Sequence, residues 1–306
     1  MQRTASGLRA VAGARLADLG RRAPEWGAWL RMLGEVERAL ADAKSEGGRT
    51  VDVSPAATEP APAAPLLHGR TVLLEAGRAT RLLRRLLALA SADPADGAAA
   101  TLAGYRPGAE EGLRLLSAAV RRDPAAIAGL AAGSSADPAA LSAVAELAAV
   151  PPLTAAAQRL RGPATTPWPY GYCPACGAWP VLAELRGLER ARVLRCGRCA
   201  ADWPWEWLRC VFCGERHHER LGLLAGEETR DSRRAETCVS CRGYLKSIAT
   251  LQPPSGFELL VLDLETVELD LAALDRGFAR PEGNGYPLDA RFLARGRSLR
   301  RLFTDG

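Results

Sequence analysis

The sequence predicts a helical N-terminal domain, then two small tandem metal-bound β modules, then a C-terminal helix. Three observations carry this. Apolar residues recur at three- and four-residue steps through much of the first 162 residues, the period of an amphipathic helix. Pro163, Pro167 and Pro169 then mark a change of composition. Beyond them, all eight cysteines of the chain fall between positions 173 and 241, in four Cys-x-x-Cys pairs. The expected boundaries are 1–165 for the helical domain, 166–207 and 208–250 for the two modules, and 251–306 for the last helix and tail.

Within the first region, "PEWGAWLRMLGEVERALADAK" places Trp26, Trp29, Leu30, Leu33, Val36 and Leu40 on one stripe. Pro55, Pro60, Pro62 and Pro65 then predict a loop or extended linker over about 55–65. "TVLLEAGRATRLLRRLLALASAD" resumes the helical pattern. Two later segments open with Asp-Pro (Asp123-Pro124 and Asp137-Pro138), in which Asp caps a helix and Pro sits in its first turn. Pro151-Pro152 is expected to break the second of these helices. The whole of 1–162 reads as an all-α bundle. After Pro169, short alternating runs such as "WPVLAEL", "ARVLRC" and "YLKSIATL" read as strands. In "FELLVLDLETVELDLAALDRGF", Leu264, Val267, Leu271, Leu274 and Phe278 give a helical stripe, although "ELLVLDL" is also compatible with a strand. The tail from Glu282 is expected to be loosely ordered.

The chain has 306 residues and a net charge of +5, and of its 40 basic residues only Lys44 and Lys246 are lysine. Abundant Arg and Ala point to a coding bias, so neither is read as a nucleic-acid or helix signal alone. No run approaches the roughly 20 apolar residues of a membrane span, and arginines interrupt the N-terminus too often for a signal peptide. A cytoplasmic protein without a membrane partner is expected. In a reducing compartment, Cys-x-x-Cys pairs read as metal or redox sites rather than disulfides.

The pairs are Cys173/Cys176, Cys196/Cys199, Cys210/Cys213 and Cys238/Cys241, with gaps of 19, 10 and 24 residues. A Cys-x-x-Cys knuckle points two sulfurs at one ion, and two knuckles on adjacent hairpins close a tetrahedral four-thiolate site. The longer gaps fit such hairpins and the 10-residue gap is short for one. The first pair is therefore matched with the second, and the third with the fourth, as zinc-ribbon-like modules. Gly177 and Gly214, just after a second cysteine, ease the turn because glycine accepts positive φ. Modules of about 40 residues are too small for an apolar core alone, so the metal is expected to staple the fold. Tetrathiolate sites suit zinc or iron. A closed site leaves no position for a substrate, which argues against a metalloenzyme.

The remaining candidates rank lower. His217 and His218 follow Cys213 closely, but eight cysteines already make two full sets. His68 has no evident partner. Asp202 and Glu206 flank Trp203 and Trp205, with Trp207 next; "DWPWEW" is expected to be a strand joining the modules, its aromatics packed, or else an exposed hot spot. Residues 166–250 carry 13 Arg/Lys against 10 Asp/Glu, too weak a balance for the basic stripe of a nucleic-acid binder.

Three stretches, "YCPACGAWPV", "LRCGRCAADWPWEWLRCVFCG" and "RAETCVSCRGYLKSI", resemble the formate dehydrogenase accessory protein family of the FdhE type. The likeness is dense over 172–248 and looser through "DLETVELDLAALDRGF". It implies two rubredoxin-like modules holding two metal ions, with iron favoured over zinc. The ligands would be Cys173, Cys176, Cys196, Cys199, Cys210, Cys213, Cys238 and Cys241. It also implies a non-enzymatic cytoplasmic maturation factor that binds the catalytic subunit of formate dehydrogenase before export or assembly. A rubredoxin-like electron-transfer or redox-sensing protein is the alternative. Only the first knuckle keeps both Pro174 and Gly177 of a rubredoxin pattern; the fourth has Val239, with Arg242 before Gly243.

Overall fold

The structure, a computed structural model, describes residues 5–46, 50–56, 61–92, 97–161 and 168–296. The expected domain boundary at 165/166, Pro60, Pro163 and Pro167 lie outside them. The first half is built from α1 (Ala5–Arg22), α2 (Gly27–Ser45), α3 (Ala76–Ala90), α4 (Gly97–Ala100), α5 (Ala109–Arg121), α6 (Pro124–Ala131) and α7 (Pro138–Leu160). The Asp-Pro signals behave as expected. Asp123 accepts the Ala126 N–H at 2.9 Å, and Asp137 accepts the Ala140 N–H at 2.8 Å.

α7 does not break at Pro151-Pro152; it runs on as one helix of 23 residues. Each proline removes one backbone hydrogen bond, a cost of about 3 kcal/mol in an exposed helix. Here Leu141, Ala145, Ala148, Leu153 and Ala156 are buried against α2, α3 and α5, and that packing holds the segment helical. By length and composition α7 could cross a membrane, but 67% of its most apolar window is buried in this core.

The helical half is not all-α. β1 (Val51–Val53) and β2 (Arg70–Leu74) pair antiparallel on either side of the proline-rich stretch. A strand from the far end of the chain, Ala290–Ala294, pairs in parallel with β2. The tail from Glu282 is thus ordered through this strand. "RTVLL" and "ARFLA" are short alternating runs whose apolar side chains (Val72, Leu74, Ala290, Phe292) fill one face. Ser117 of α5 accepts the Phe292 N–H at 2.9 Å inside the core.

The second half is a single six-stranded sheet. Its strands are β3 (Leu182–Arg186), β4 (Ala191–Arg195), β5 (Asp202–Pro204), β6 (Leu221–Leu224), β7 (Arg233–Cys238) and β8 (Tyr244–Thr250), in the spatial order β5-β4-β3-β8-β7-β6. Each module contributes three consecutive strands, and the modules join where β3 and β8 pair in parallel over five positions. "FELLVLDLE" is helical: α8 (Gly256–Glu265) starts with a capping box between Ser255 and Glu258. The chain pauses at Thr266 and continues as α9 (Val267–Asp275), so the expected C-terminal helix is two helices followed by the last strand, β9 (Ala290–Ala294). Lys246 on β8 is fully buried, with Nζ 2.8 Å from Asp263 Oδ1 and 2.6 Å from Asp270 Oδ2. Arg280 bridges the same two carboxylates at 2.6 and 2.8 Å. This square of charges ties β8 to α8 and α9. The principal apolar core is continuous from α2 through the first knuckles to Phe257.

Candidate metal centres

Each cysteine knuckle is closed by its own backbone. The N–H of Cys173, Cys196, Cys210 and Cys238 donates to the carbonyl five residues on, at 2.8, 2.9, 2.8 and 2.9 Å. In all four knuckles the residue after the second cysteine is left-handed: Gly177 (φ 71°), Ala200 (59°), Gly214 (78°) and Arg242 (56°). Glycine takes this conformation freely; a residue with a Cβ does so at about 1–2 kcal/mol.

The two non-glycine residues have local uses. The Ala200 methyl occupies space where Gly256 has no side chain; a Cβ on Gly256 would stand 2.6 Å from it. The Arg242 guanidinium donates to the carbonyls of Arg276 (2.7 Å) and Gly277 (3.1 Å), beyond the end of α9, and stacks 4.4 Å from the centre of the Phe278 ring.

The knuckles converge as the spacing predicts, first with second and third with fourth. In the first centre Cys173 Sγ lies 3.5 Å from Cys199 Sγ, and Cys176 Sγ 3.5 Å from Cys196 Sγ. In the second, Cys210–Cys241 and Cys213–Cys238 are each 3.7 Å apart. Within each set all four sulfurs lie within 4.8 Å of one another, and all eight thiols are free. A tetrahedral ion with metal–sulfur bonds of about 2.3 Å would hold its sulfurs about 3.8 Å apart, so the donor sets fit such an ion.

Thiol electrostatics point the same way. Cys173 drives Cys196 well below the usual thiol range by hydrogen bonding to it, and the same neighbour drives Cys199 up. Burial pushes Cys173 up. In the second set burial raises Cys210 and brings Cys241 up to about 11. Burial also opposes ionisation of Cys238, but the N–H groups of Cys241 and Ser240 outweigh it and the pKa falls. Each set therefore contains one thiol whose ionised form is favoured, Cys196 in the first and Cys238 in the second, and a cation bound by thiolates would favour ionisation further.

The surroundings of the centres differ. The first is buried at all four cysteines and gripped by the helical half. Leu66 and Leu67 donate their N–H groups to Pro174 and Ala175 of the first knuckle, at 2.8 and 3.0 Å. Arg198 of the second knuckle donates to Ala119 O (2.8 Å), Val120 O (3.1 Å) and Asn284 Oδ1 (3.0 Å), capping the C-terminal end of α5. Tyr286 N–H donates to Gly177 O at 3.0 Å. The second centre opens outward, with Cys213 and Cys241 exposed. Exposed Leu208, Leu223 and Val239 occur in the same module, and exposed Trp207 immediately precedes it.

The lower-ranked residues sort plainly. His217 and His218 are exposed, and neither joins a tetracysteine group among the described residues. The His217 N–H instead donates to Glu215, whose carboxyl is drawn to about 2, chiefly by the Ser240 hydroxyl at 2.6 Å. His68 does have partners: its Nδ1 accepts the Asp289 N–H at 3.2 Å, and its ring meets Tyr286 edge-on. Asp202 pairs with Arg161 and Arg186, whereas Glu206 pairs with Arg209 and Arg216, so they form no acid–base couple. Trp203 and Trp205 are buried and Trp207 is exposed. Sequence reasoning missed Arg198 and Arg242. Their positions inside and just after knuckles were visible, but the helix ends they reach were not.

Fold and sites together define a class: a helical scaffold docked on one sheet that carries two tetracysteine centres. The chain is similar to proteins of the FdhE family, the one its knuckles resemble. Residues 208–286 match the FdhE C-terminal domain. The chain is similar to the FdhE homologue of Stutzerimonas stutzeri (strain A1501), 37% identical over 115 residues, which is 37% of each protein. It is also similar to the homologue of Aquifex aeolicus (strain VF5), 35% identical over 127 residues, 39% of this chain and 43% of that one. These alignments thus span about two fifths of the relatives' lengths. The crystal structure of the FdhE protein from Pseudomonas aeruginosa aligns over 92% of this chain and 96% of that one, with a TM-score of 0.56 and 26% identity.

Proposed function

We propose that this protein is a cytoplasmic accessory factor for formate dehydrogenase. It binds the catalytic subunit during assembly, before export, and does no chemistry of its own. The observation that carries this reading is the pair of complete four-sulfur sets in a chain whose residues 208–286 match the FdhE C-terminal domain. In it Cys173, Cys176, Cys196 and Cys199 hold one metal ion, and Cys210, Cys213, Cys238 and Cys241 hold the other. Four thiolates fill a tetrahedral ion, so each centre stiffens its hairpins and leaves no position for a substrate. The modules over 166–207 and 208–250 share one sheet and act as a single rigid platform. A cleft of about 960 Å³ between α6, α7 and this platform, with Trp29, Leu147, Trp179 and Phe212 in its walls, supports the view that the client is held by shape.

Iron is the favoured metal, on the family resemblance. The exposure of Cys213 and Cys241 supports a second reading for an iron-loaded second centre: one-electron exchange with a client metal or thiol. Zinc in both centres would remove that reading and leave the accessory role intact.

The test is a strain lacking this protein. Formate-dependent reduction should be lost while the catalytic polypeptide is still made. Full activity in that strain would end the proposal, as would failure of the tagged protein to retain the catalytic subunit from cells respiring formate.

A further inference from the structure

The two modules are joined by an arrangement that one of them leaves open. Within each module the three strands follow the chain: β3, β4, β5 in the first and β6, β7, β8 in the second. Across the sheet they read third-second-first, then again third-second-first. The join is made at the outer edge of a first strand: β3 accepts β8 in parallel, with Leu182 opposite Lys246 and Arg186 opposite Thr250. β6 is the first strand of the second module. Among the described residues its corresponding edge pairs with no strand.

That edge is fit to receive one. The Val239 N–H donates to Arg220 O at 2.9 Å, which sets the alternation along the β6–β7 pair. Gly222 and Leu224 turn their N–H and C=O groups to β7, and Leu221 and Leu223 turn theirs outward. Beside the edge lies a groove of about 180 Å³ with Trp207, Leu208, Leu223, Arg234 and Glu236 in its walls. Leu223 and Trp207 are 48% and 47% exposed, far above a core residue. Glu236 stands opposite Leu223 on β7. Its Oε2 is held by Arg192 at 2.5 Å, but its Oε1 is buried without a hydrogen-bond partner. A buried carboxylate oxygen with no donor is costly, and a donor supplied by a ligand removes that cost.

The other end of the sheet is closed to the same use. β5 has only three residues, ends in Pro204, which has no N–H, and has its Asp202 engaged by Arg161 and Arg186. A second copy of this chain therefore cannot continue the strand order by offering β5.

We propose that β6 is a docking edge for an extended polypeptide segment of a client. The segment adds in parallel, as β8 does to β3, lays apolar side chains on Leu223 and Trp207, and carries an Arg or Lys that reaches Glu236 Oε1. The accessory reading above supplies only the source of the segment; the edge itself is tested without it. The probe is a synthetic peptide of alternating Val and Thr with one central Arg, added at millimolar concentration to the full-length metal-loaded protein. Amide exchange is followed residue by residue.

The Leu221 and Leu223 amides should slow at least tenfold on addition, whereas those of Gly222 and Leu224 are already protected by β7. Replacing the peptide Arg by Ala should weaken binding about tenfold. Leu223→Pro removes an outward N–H without touching a bond to β7, and should abolish binding. Should that variant misfold, the same peptide N-methylated at alternate residues tests the point on the unaltered protein and should not bind. Unchanged exchange at Leu221 and Leu223, or equal binding of the methylated peptide, overturns the proposal. So does a concentration-dependent dimer whose Leu221 and Leu223 amides are protected before any peptide is added. Loss of the catalytic subunit as a client would leave the peptide result standing, so the two proposals fail separately.

Discussion

The two tetracysteine centres share knuckle geometry and strand order, yet they sit in opposite surroundings. Around the first, the helical half supplies donors to one knuckle through Leu66 and Leu67 and accepts from the other through Arg198. Its four cysteines belong to the main apolar core. The second is held mainly by its own hairpins and by α9, and two of its cysteines reach solvent. Equal coordination in unequal settings gives unequal jobs. On the proposed metal binding, an ion in the first centre would be a rivet between the halves of the molecule. An ion in the second would be a surface feature whose loss should be local.

The strongest way to break this comparison is to remove one ligand from each centre. Cys196→Ser should prevent accumulation of folded protein, because a structural zinc site is worth roughly 10–16 kcal/mol in isolated peptides and whole domains have about 5–15 kcal/mol to lose. Cys213→Ser should leave a soluble protein with native helical circular dichroism and one metal ion per chain. Equal damage from the two substitutions would show that the centres are energetically alike. A milder version uses a chelator on the native protein. One metal equivalent should leave quickly, and amide exchange should rise around 208–250, while the other equivalent stays until global unfolding. Simultaneous loss of both would contradict the rivet.

The sequence made the cysteine pairing legible because ligand spacing is a local property: 19 and 24 residues suffice for a hairpin and 10 do not. It also made the helix starts at Asp123 and Asp137 legible, since a cap depends on three or four neighbouring residues. What it hid was long-range. β2 becomes a strand because Ala290–Ala294 comes back to pair with it, about 220 positions later. Pro151-Pro152 stays helical because other helices surround it. The inequality of the two centres could not be read either, because identical spacings say nothing about what packs on them.

Acid should act through the ion pairs as well as through the centres, where protons compete with a bound ion for the thiolates. The carboxyl of Asp270 is opposed by burial but held below its ordinary 3.8, chiefly by Arg280, with Lys246 also lowering it. Glu184 is likewise opposed by burial and held below 4.5 by Arg186, Thr250 and Arg195. Carboxyls with depressed pKa values stabilise the fold above their unfolded values, and that stability is lost as pH falls through the folded ones. Each unit of depression is worth about 1.4 kcal/mol. Unfolding by denaturant should therefore become easier below about pH 4, with an extra proton taken up by the unfolded state. Asp270→Asn should flatten part of that dependence, at a cost in stability at neutral pH because Lys246 loses a charged partner in the interior. An unaltered acid limb in this variant would remove the charge square from the explanation.

The smallest expected effects distinguish the two centres at their left-handed residues. Replacing a strained residue by glycine relieves about 1–2 kcal/mol, offset by whatever the side chain was doing. Ala200→Gly in the first centre gives up one methyl packed on Gly256, worth about 0.8 kcal/mol, so the change should be close to neutral or slightly stabilising. Arg242→Gly in the second gives up two charged hydrogen bonds to the end of α9 and the stack on Phe278. At an exposed site these are worth about 1–3 kcal/mol together, so against that relief this variant should be destabilised by up to about 2 kcal/mol, with faster amide exchange confined to α9 and the fourth knuckle. The pair is informative because the backbone relief is the same in both and only the side-chain contacts differ. If Arg242→Gly were as neutral as Ala200→Gly, α9 would not be what braces the open centre, and the hairpins alone would have to account for its shape.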